Sequence, residues 1–203
     1  MAKGKSTVSL PNYEKVIKTL DKMSTTDSEK VIKRCTSDAI TRAPAWVSAS
    51  IAEVYSVKKA DIKETLQGKG KGNGKIKVKG KVVESVALIY KGRLLTPIHF
   101  KMRPGARKDK SYRITQEIFK GQRKALPPDA FLASSGKDGS KQIPFQREGK
   151  GRYPIRSIKT VSVPQMIGNE EVSEKIQQRI DEGLTKRLEN HIKQMISKAG
   201  GQG

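Results

Sequence analysis

The chain has 203 residues, enough for one domain of ordinary size to bury most of its apolar surface without disulfides or metals. Its 42 Lys and Arg face 20 Asp and Glu, a net charge of +22 that exceeds what solubility requires and points to a phosphate-rich partner. A single cysteine, Cys35, excludes an intramolecular disulfide and any zinc site of the usual Cys or Cys/His type, and it fits synthesis in a reducing cytosol.

The basic start, Met1 to Thr7, is followed by no apolar h-region, and the longest uninterrupted apolar stretch, Val86 to Tyr90, is far too short to span a bilayer. Neither export by a signal peptide nor membrane anchoring is expected.

Charge is uneven along the chain: +4 over residues 1–67, +18 over 68–168 and zero over 169–203. These boundaries separate an N-terminal helical region, a basic β-rich region, and a C-terminal helix with a short tail, which together read as one structural domain.

In chain order, Leu10-Pro11-Asn12 opens a helical pattern in which Tyr13, Val16, Ile17, Leu20 and Met23 recur at three- and four-residue spacing. Ser24 to Asp27 ends that helix and caps the next. The second helix is expected to run from Ser28 past Val31, Ile32, Cys35, Ala39 and Ile40 to Ala43, where Pro44 blocks continuation or permits a new first turn. A third helical segment spans Ala45 to Val57, with Trp46 and Tyr55 marking a core edge, the favoured reading, or a partner groove. A short fourth spans Lys59 to Leu66 and stops at Gln67-Gly68.

From residue 75 the period becomes strand-like. Candidate strands are Lys75–Lys79, Val82–Tyr90, Ile98–Lys101, Tyr112–Phe119, Ala130–Ser134, Ile143–Gln146 and Ile155–Val163, separated by Gly and Pro turn signals and read as antiparallel. Pro154 and Pro164 flank the last of these and would set how it enters and leaves the sheet.

The final segment returns to helix, with Asn169 as the cap. Val172, Ile176, Ile180, Leu184, Leu188, Ile192, Met195 and Ile196 form one apolar stripe. Its length of about 30 residues, roughly 45 Å at 1.5 Å per residue, exceeds what one small sheet needs to cover, so part of the stripe is a candidate for packing on a neighbouring subunit. The fold class expected is α+β: N-terminal helices, a central antiparallel β-sheet and a long C-terminal amphipathic helix.

Within the basic region, Lys69, Lys71, Lys75, Lys77, Lys79 and Lys81 occur with no acid among them, and Arg103, Arg107, Lys108, Lys110 and Arg113 form a second cluster. Unpaired cations of this kind neutralise phosphates. The alternatives are a solvated loop with a lysine-blunted edge strand, or docking on acidic surfaces of partner proteins.

Catalytic chemistry is thin. His99 and His191 are the only histidines, the first read as a satisfied sheet residue and the second as a packing residue beside the apolar stripe. No Gly-x-Ser-x-Gly, His-Glu-x-x-His or Walker-type loop occurs, and Glu84, Asp109 and Glu117 are the only acids between 68 and 128, too few for a two-metal nuclease. No enzyme activity, cofactor or metal is expected.

Residues 149 to 198 carry a more specific pattern: Arg152-Tyr153-Pro154-Ile155, a short strand leading to Val161-Ser162-Val163-Pro164, then a long helix punctuated by Leu184 and Leu188. This order resembles the phage minor tail protein Z family. Upstream, the likeness is looser and rests on the helical start, the basic centre and the Phe119 to Arg123 and Phe145 to Arg147 stretches; the Gly/Lys run at 68–81 is where the sequence departs from it.

The resemblance implies a virion protein of the tail neck, made in the host cytoplasm. It would complete the head-proximal end of the tail for head-tail joining, as a homo-oligomeric ring, by analogy of six subunits, around the DNA channel. Its neighbours would be tail and neck proteins such as the tail terminator and tail tube, with non-specific contact to genomic DNA through the lysine and arginine clusters. Tyr153, Pro154, Ile155, Pro164, Leu184, Leu188 and Ile192 are the candidates for subunit contact. A non-catalytic nucleic-acid-binding protein of host type, or a ribosome-associated protein, is the competing reading that the charge alone supports.

Overall fold

The computed structural model describes residues 24–66, 77–79, 82–85, 88, 90–108, 111–135 and 141–200. The helix read over Leu10 to Met23 lies outside them. The architecture is α+β, with a long helix early in the described chain, antiparallel sheets of two, two and three strands in its middle, and a long C-terminal helix. Two compact units divide it, one within Met1–Val47, Leu66–Ile89 and Ser173–Gly203, the other within Ser48–Thr65 and Tyr90–Val172.

The first helix, α1 (Thr25–Val54), begins at a Ser24 cap, whose hydroxyl accepts from the Asp27 N–H at 3.2 Å and donates to the Asp27 carboxylate at 2.8 Å. Pro44 lies inside this helix, so the two helices read on either side of it are one. The apolar phase explains the continuity. Val31, Cys35, Ala39, Val47 and Ile51 are all buried at multiples of four residues, so the same stripe resumes in register beyond the proline and burial outweighs the missing N–H.

In the first unit, Val31 and Cys35 of α1 pack with Leu188 and Ile192 of the C-terminal helix, flanked by Ile32, Leu184 and Met195. Each fully buried aliphatic side chain there contributes about 1.5–3 kcal/mol. At the edge of this core the half-buried Trp46 indole lies against Gly183, where a Cβ would overlap its ring. The same unit holds a hairpin of β1 (Lys77–Lys79) and β2 (Val82–Ser85), whose register shifts between Lys77 and Val78.

In the second unit, α2 (Lys59–Glu64) follows α1 and ends at Thr65, whose hydroxyl donates to the Ile62 carbonyl at 2.7 Å. Residues 97–99 form a 3-10 turn that starts after an extended Thr96, not the strand read over Ile98–Lys101. Pro97 in its first turn fixes a helical φ, and Lys101 just beyond adopts a left-handed φ of 43°, which breaks any extended pairing.

The β3 strand (Thr115–Glu117) pairs with β4 (Arg123–Ala125), and β5 (Phe131–Ser135), β6 (Lys141–Arg147) and β7 (Ile155–Ser157) form a three-stranded antiparallel sheet. Met102, Ile114, Leu126 and Leu132 are the core under these strands.

Beyond β7 the chain leaves strand geometry at Ser157, well before Val163. A short helix, α3 (Val163–Ile167), follows, with Ser162 and Gln165 in a capping box and Pro164 in the first turn. Pro164 therefore starts a helix and does not close a strand. The C-terminal helix, α4 (Glu170–Gly200), is capped by Asn169, whose side-chain oxygen accepts from the Val172 N–H at 3.3 Å.

Candidate nucleic-acid interface

Of the cationic candidates, Lys69, Lys71, Lys75, Lys81 and Lys110 lie outside the described residues, and Lys77 and Lys79 occupy β1. The remaining four, Arg103, Arg107, Lys108 and Arg113, are exposed, and the described residues around them are tied into the fold. Met102 and Ile114, on either side of them in the chain, are in the core. Arg103 and Thr115 exchange both backbone hydrogen bonds at 2.8 Å. The Arg107 N–H donates to Gln142 Oε1 at 2.6 Å, and the Tyr112 hydroxyl accepts from the Leu132 N–H at 3.3 Å. Backbone and apolar side chains are used for attachment while the four cations point into solvent without an ion pair among the described residues. Exposed cations without ion pairs are the chemistry that phosphate contact without base selection requires.

A second feature of this unit was not legible as a site in the sequence. The Glu117 carboxylate accepts from the Ser56 hydroxyl and from Lys101 Nζ at 3.1 Å, and lies 3.6 Å from Arg123 Nη2. Arg123 Nη1 also donates to the Lys101 carbonyl at 3.1 Å and to Thr115 Oγ1 at 3.2 Å. The Ser56 hydrogen bond, then that of Lys101, holds the Glu117 pKa down at about 2. Its only signal was its isolation as a lone acid between two basic stretches. This hub ties the segment after α1 to the β3–β4 hairpin, so its role is architectural.

The third feature is the β5–β6–β7 sheet. Leu132 and Pro144 sit opposite each other and are buried; on the alternate face Phe131 stacks on Phe145, ring centroids 6.3 Å apart, and Arg147 lies 5.0 Å over the Phe131 ring. Beyond Arg147 the Glu148 N–H donates to the Pro154 carbonyl at 3.1 Å. Tyr153, the interface candidate at this turn, is 69% exposed, and Pro154 and Arg152 are exposed beside it. Ile155 is half-buried on β7.

The other interface candidates divide. Pro164 is exposed on α3, Leu184 is half-buried at the core edge, and Leu188 and Ile192 are buried against α1 of the same chain. At the far end of that stripe Ile196 is 57% exposed.

Each histidine has a carboxylate partner. His99 Nδ1 is 3.0 Å from Asp61 Oδ2, and His191 Nε2 is 3.1 Å from Asp38 Oδ2, which also accepts from Arg187 Nη1 at 2.8 Å. Desolvation pushes the Asp38 carboxyl up, but the hydrogen bonds from His191 and Arg187 outweigh it and hold the pKa below its usual value. Cys35, one turn earlier, directs its thiol to the Leu184 carbonyl, and burial pushes its pKa up to about 11, which keeps it a protonated, inert packing group. A depression of about 90 Å³ lined by Gln116, Ile118, Phe119, Gln122 and Lys124 has the size of a small side chain. Among the described residues no cluster of His, Cys, Asp or Glu is arranged to hold a metal ion, and no helix is long and apolar enough to cross a membrane.

No curated protein and no solved structure matches the chain significantly. The family model of prophage minor tail protein Z matches residues 6–198, nearly the whole length and a span that takes in the Gly/Lys run. Helices, basic centre and terminal helix thus fall under one family pattern, and the chain belongs to the prophage minor tail protein Z family of structural proteins of the phage tail.

Proposed function

We propose that this tail protein completes the head-proximal end of the tail, closing as a ring of six subunits around the DNA path so that the filled head can join. The observation that carries the reading is the group of exposed cations Arg103, Arg107, Lys108 and Arg113, next to the Arg103–Thr115 and Arg107–Gln142 hydrogen bonds, in a member of a family of tail proteins. Lysines and arginines facing a duplex channel gain from every phosphate that passes, and rotational symmetry multiplies each of them by the number of subunits. DNA must move through such a channel, so point charges suit it better than base-reading pairs.

Subunit contact is assigned to surfaces the chain leaves open, Pro164 on α3 and the end of α4 around Ile196. Tail terminator and tail tube proteins are the neighbours this station requires. The protein would be made in the host cytoplasm and built into the virion neck.

The test is complementation. Tails from phage lacking this chain should assemble but fail to join filled heads, and purified protein added to them should restore joining. Tails that join heads at the normal rate without it would overturn the proposal. The alternative, a non-catalytic nucleic-acid-binding protein acting apart from the virion, predicts salt-sensitive duplex binding by a monomer that never copurifies with tails.

A further inference from the structure

The end of the β6–β7 hairpin has a chemistry that phosphate neutralisation alone does not use. Residues 147–154 are all exposed, a run of eight that contains Arg147, Lys150, Arg152 and Tyr153. The β6–β7 register, Arg147 opposite Ile155, and the Glu148 to Pro154 hydrogen bond at 3.1 Å close the turn and bring the two basic-aromatic pairs to one end of the sheet. In one pair the Arg147 guanidinium lies 5.0 Å over Phe131; in the other the Arg152 guanidinium lies 5.8 Å over Tyr153.

Tyr153 is 69% exposed, so its ring is open to a further partner while Arg152 is held beside it. Arg147, Lys150 and Arg152 form no ion pair among the described residues, and Glu148 is the only acid in the run.

We propose that this hairpin end is a stacking site for unpaired bases of single-stranded nucleic acid, with Tyr153 as the platform and Arg147, Lys150 and Arg152 on the flanking phosphates. An open aromatic ring next to uncompensated guanidiniums matches a ligand that offers π-faces and negative charge together. A duplex keeps its base faces stacked and offers this site only phosphates. An acidic peptide would use the cations and leave the ring idle. The inference does not depend on where in the tail the protein sits, so it stands or falls separately from the ring.

The test uses the full chain and two fluorescent probes, a fifteen-base oligothymidine and a duplex of equal length, with binding followed by anisotropy over a salt series. Tyr153→Ala should weaken the single strand about 5- to 150-fold, the range of one base stacked on an aromatic ring, and leave the duplex within about twofold. Its salt slope should be unchanged, because stacking releases no counterions. Tyr153→Phe should restore the affinity. Arg107→Ala, on the separate basic segment, should weaken both probes alike and lower the salt slope by about one.

Equal loss on both probes for Tyr153→Ala, or no loss on either, would overturn the proposal. So would an unchanged affinity accompanied by a smaller oligomer in sedimentation, which would make the hairpin a subunit contact.

Discussion

Glu117 is a residue on which several polar groups of the second unit converge. It binds the Ser56 hydroxyl, Lys101 and Arg123, and these contacts bring its pKa from 4.5 down to about 2. A carboxylate whose folded pKa is depressed contributes stability that is complete above its unfolded value and is lost as pH falls through the folded one. The window here runs from about pH 4.5 to pH 2. Glu117→Gln keeps the shape but removes the charge, so it should lower the urea midpoint at pH 7. It should also flatten the decline of that midpoint across the acid window relative to the native chain. Parallel declines in the two proteins would show that Glu117 is not the linked group. Asp38 plays a comparable part in the first unit, where Arg187 and His191 converge on one oxygen, and Cys35 beside it is closed to chemistry by burial.

At the scale of elements, the helices follow from apolar spacing and caps, and these were readable from the residues. Asn169 caps α4 as its position suggested, and the stripe from Val172 to Ile192 is the side that α4 buries. Pro44 misled because a proline signals a break locally, whereas the four-residue apolar phase on both sides decides in favour of one helix.

The short strands were less legible. The β4 strand is Arg-Lys-Ala, exposed throughout, with no alternation to mark it, and residues 97–101 mimic a strand in composition while Pro97 commits them to a 3-10 turn. The α3 helix carried a readable capping box, Ser162 with Gln165, that the Val163-Pro164 pair masked when read as the end of a strand.

The contact between α1 and α4 gives an element-scale prediction. A Cβ at Gly183 would overlap Trp46 Cη2 and Cζ2, so Gly183→Ala should destabilise by about 1–3 kcal/mol through overpacking, despite a helix-propensity gain of about 1 kcal/mol. Trp46→Leu should relieve the clash, and the pair should couple in a double-mutant thermal cycle. Simple additivity of the two changes would contradict this packing.

For the molecule as a whole, the sequence carried the function class further than the site. A net charge of +22 with its excess in residues 68–168, beside a charge-balanced C-terminal segment, suited a phosphate-facing assembly protein, and the family match over 6–198 makes it a phage tail component. Which cations share a surface was hidden. Arg103 and Arg107 are tied down by Thr115 and Gln142, partners 12 and 35 residues away in the chain.

Tyr153 stood out in the sequence as part of a short motif and as a candidate for subunit contact. Its exposure and its guanidinium neighbour required the hairpin. Electron microscopy of purified tails carrying a labelled copy of this chain is the decisive test of the proposed ring at the head-proximal end. Label is expected at the head-proximal end of every tail, with density for six copies around the channel. Label confined to the baseplate, or absent from completed tails, would contradict it.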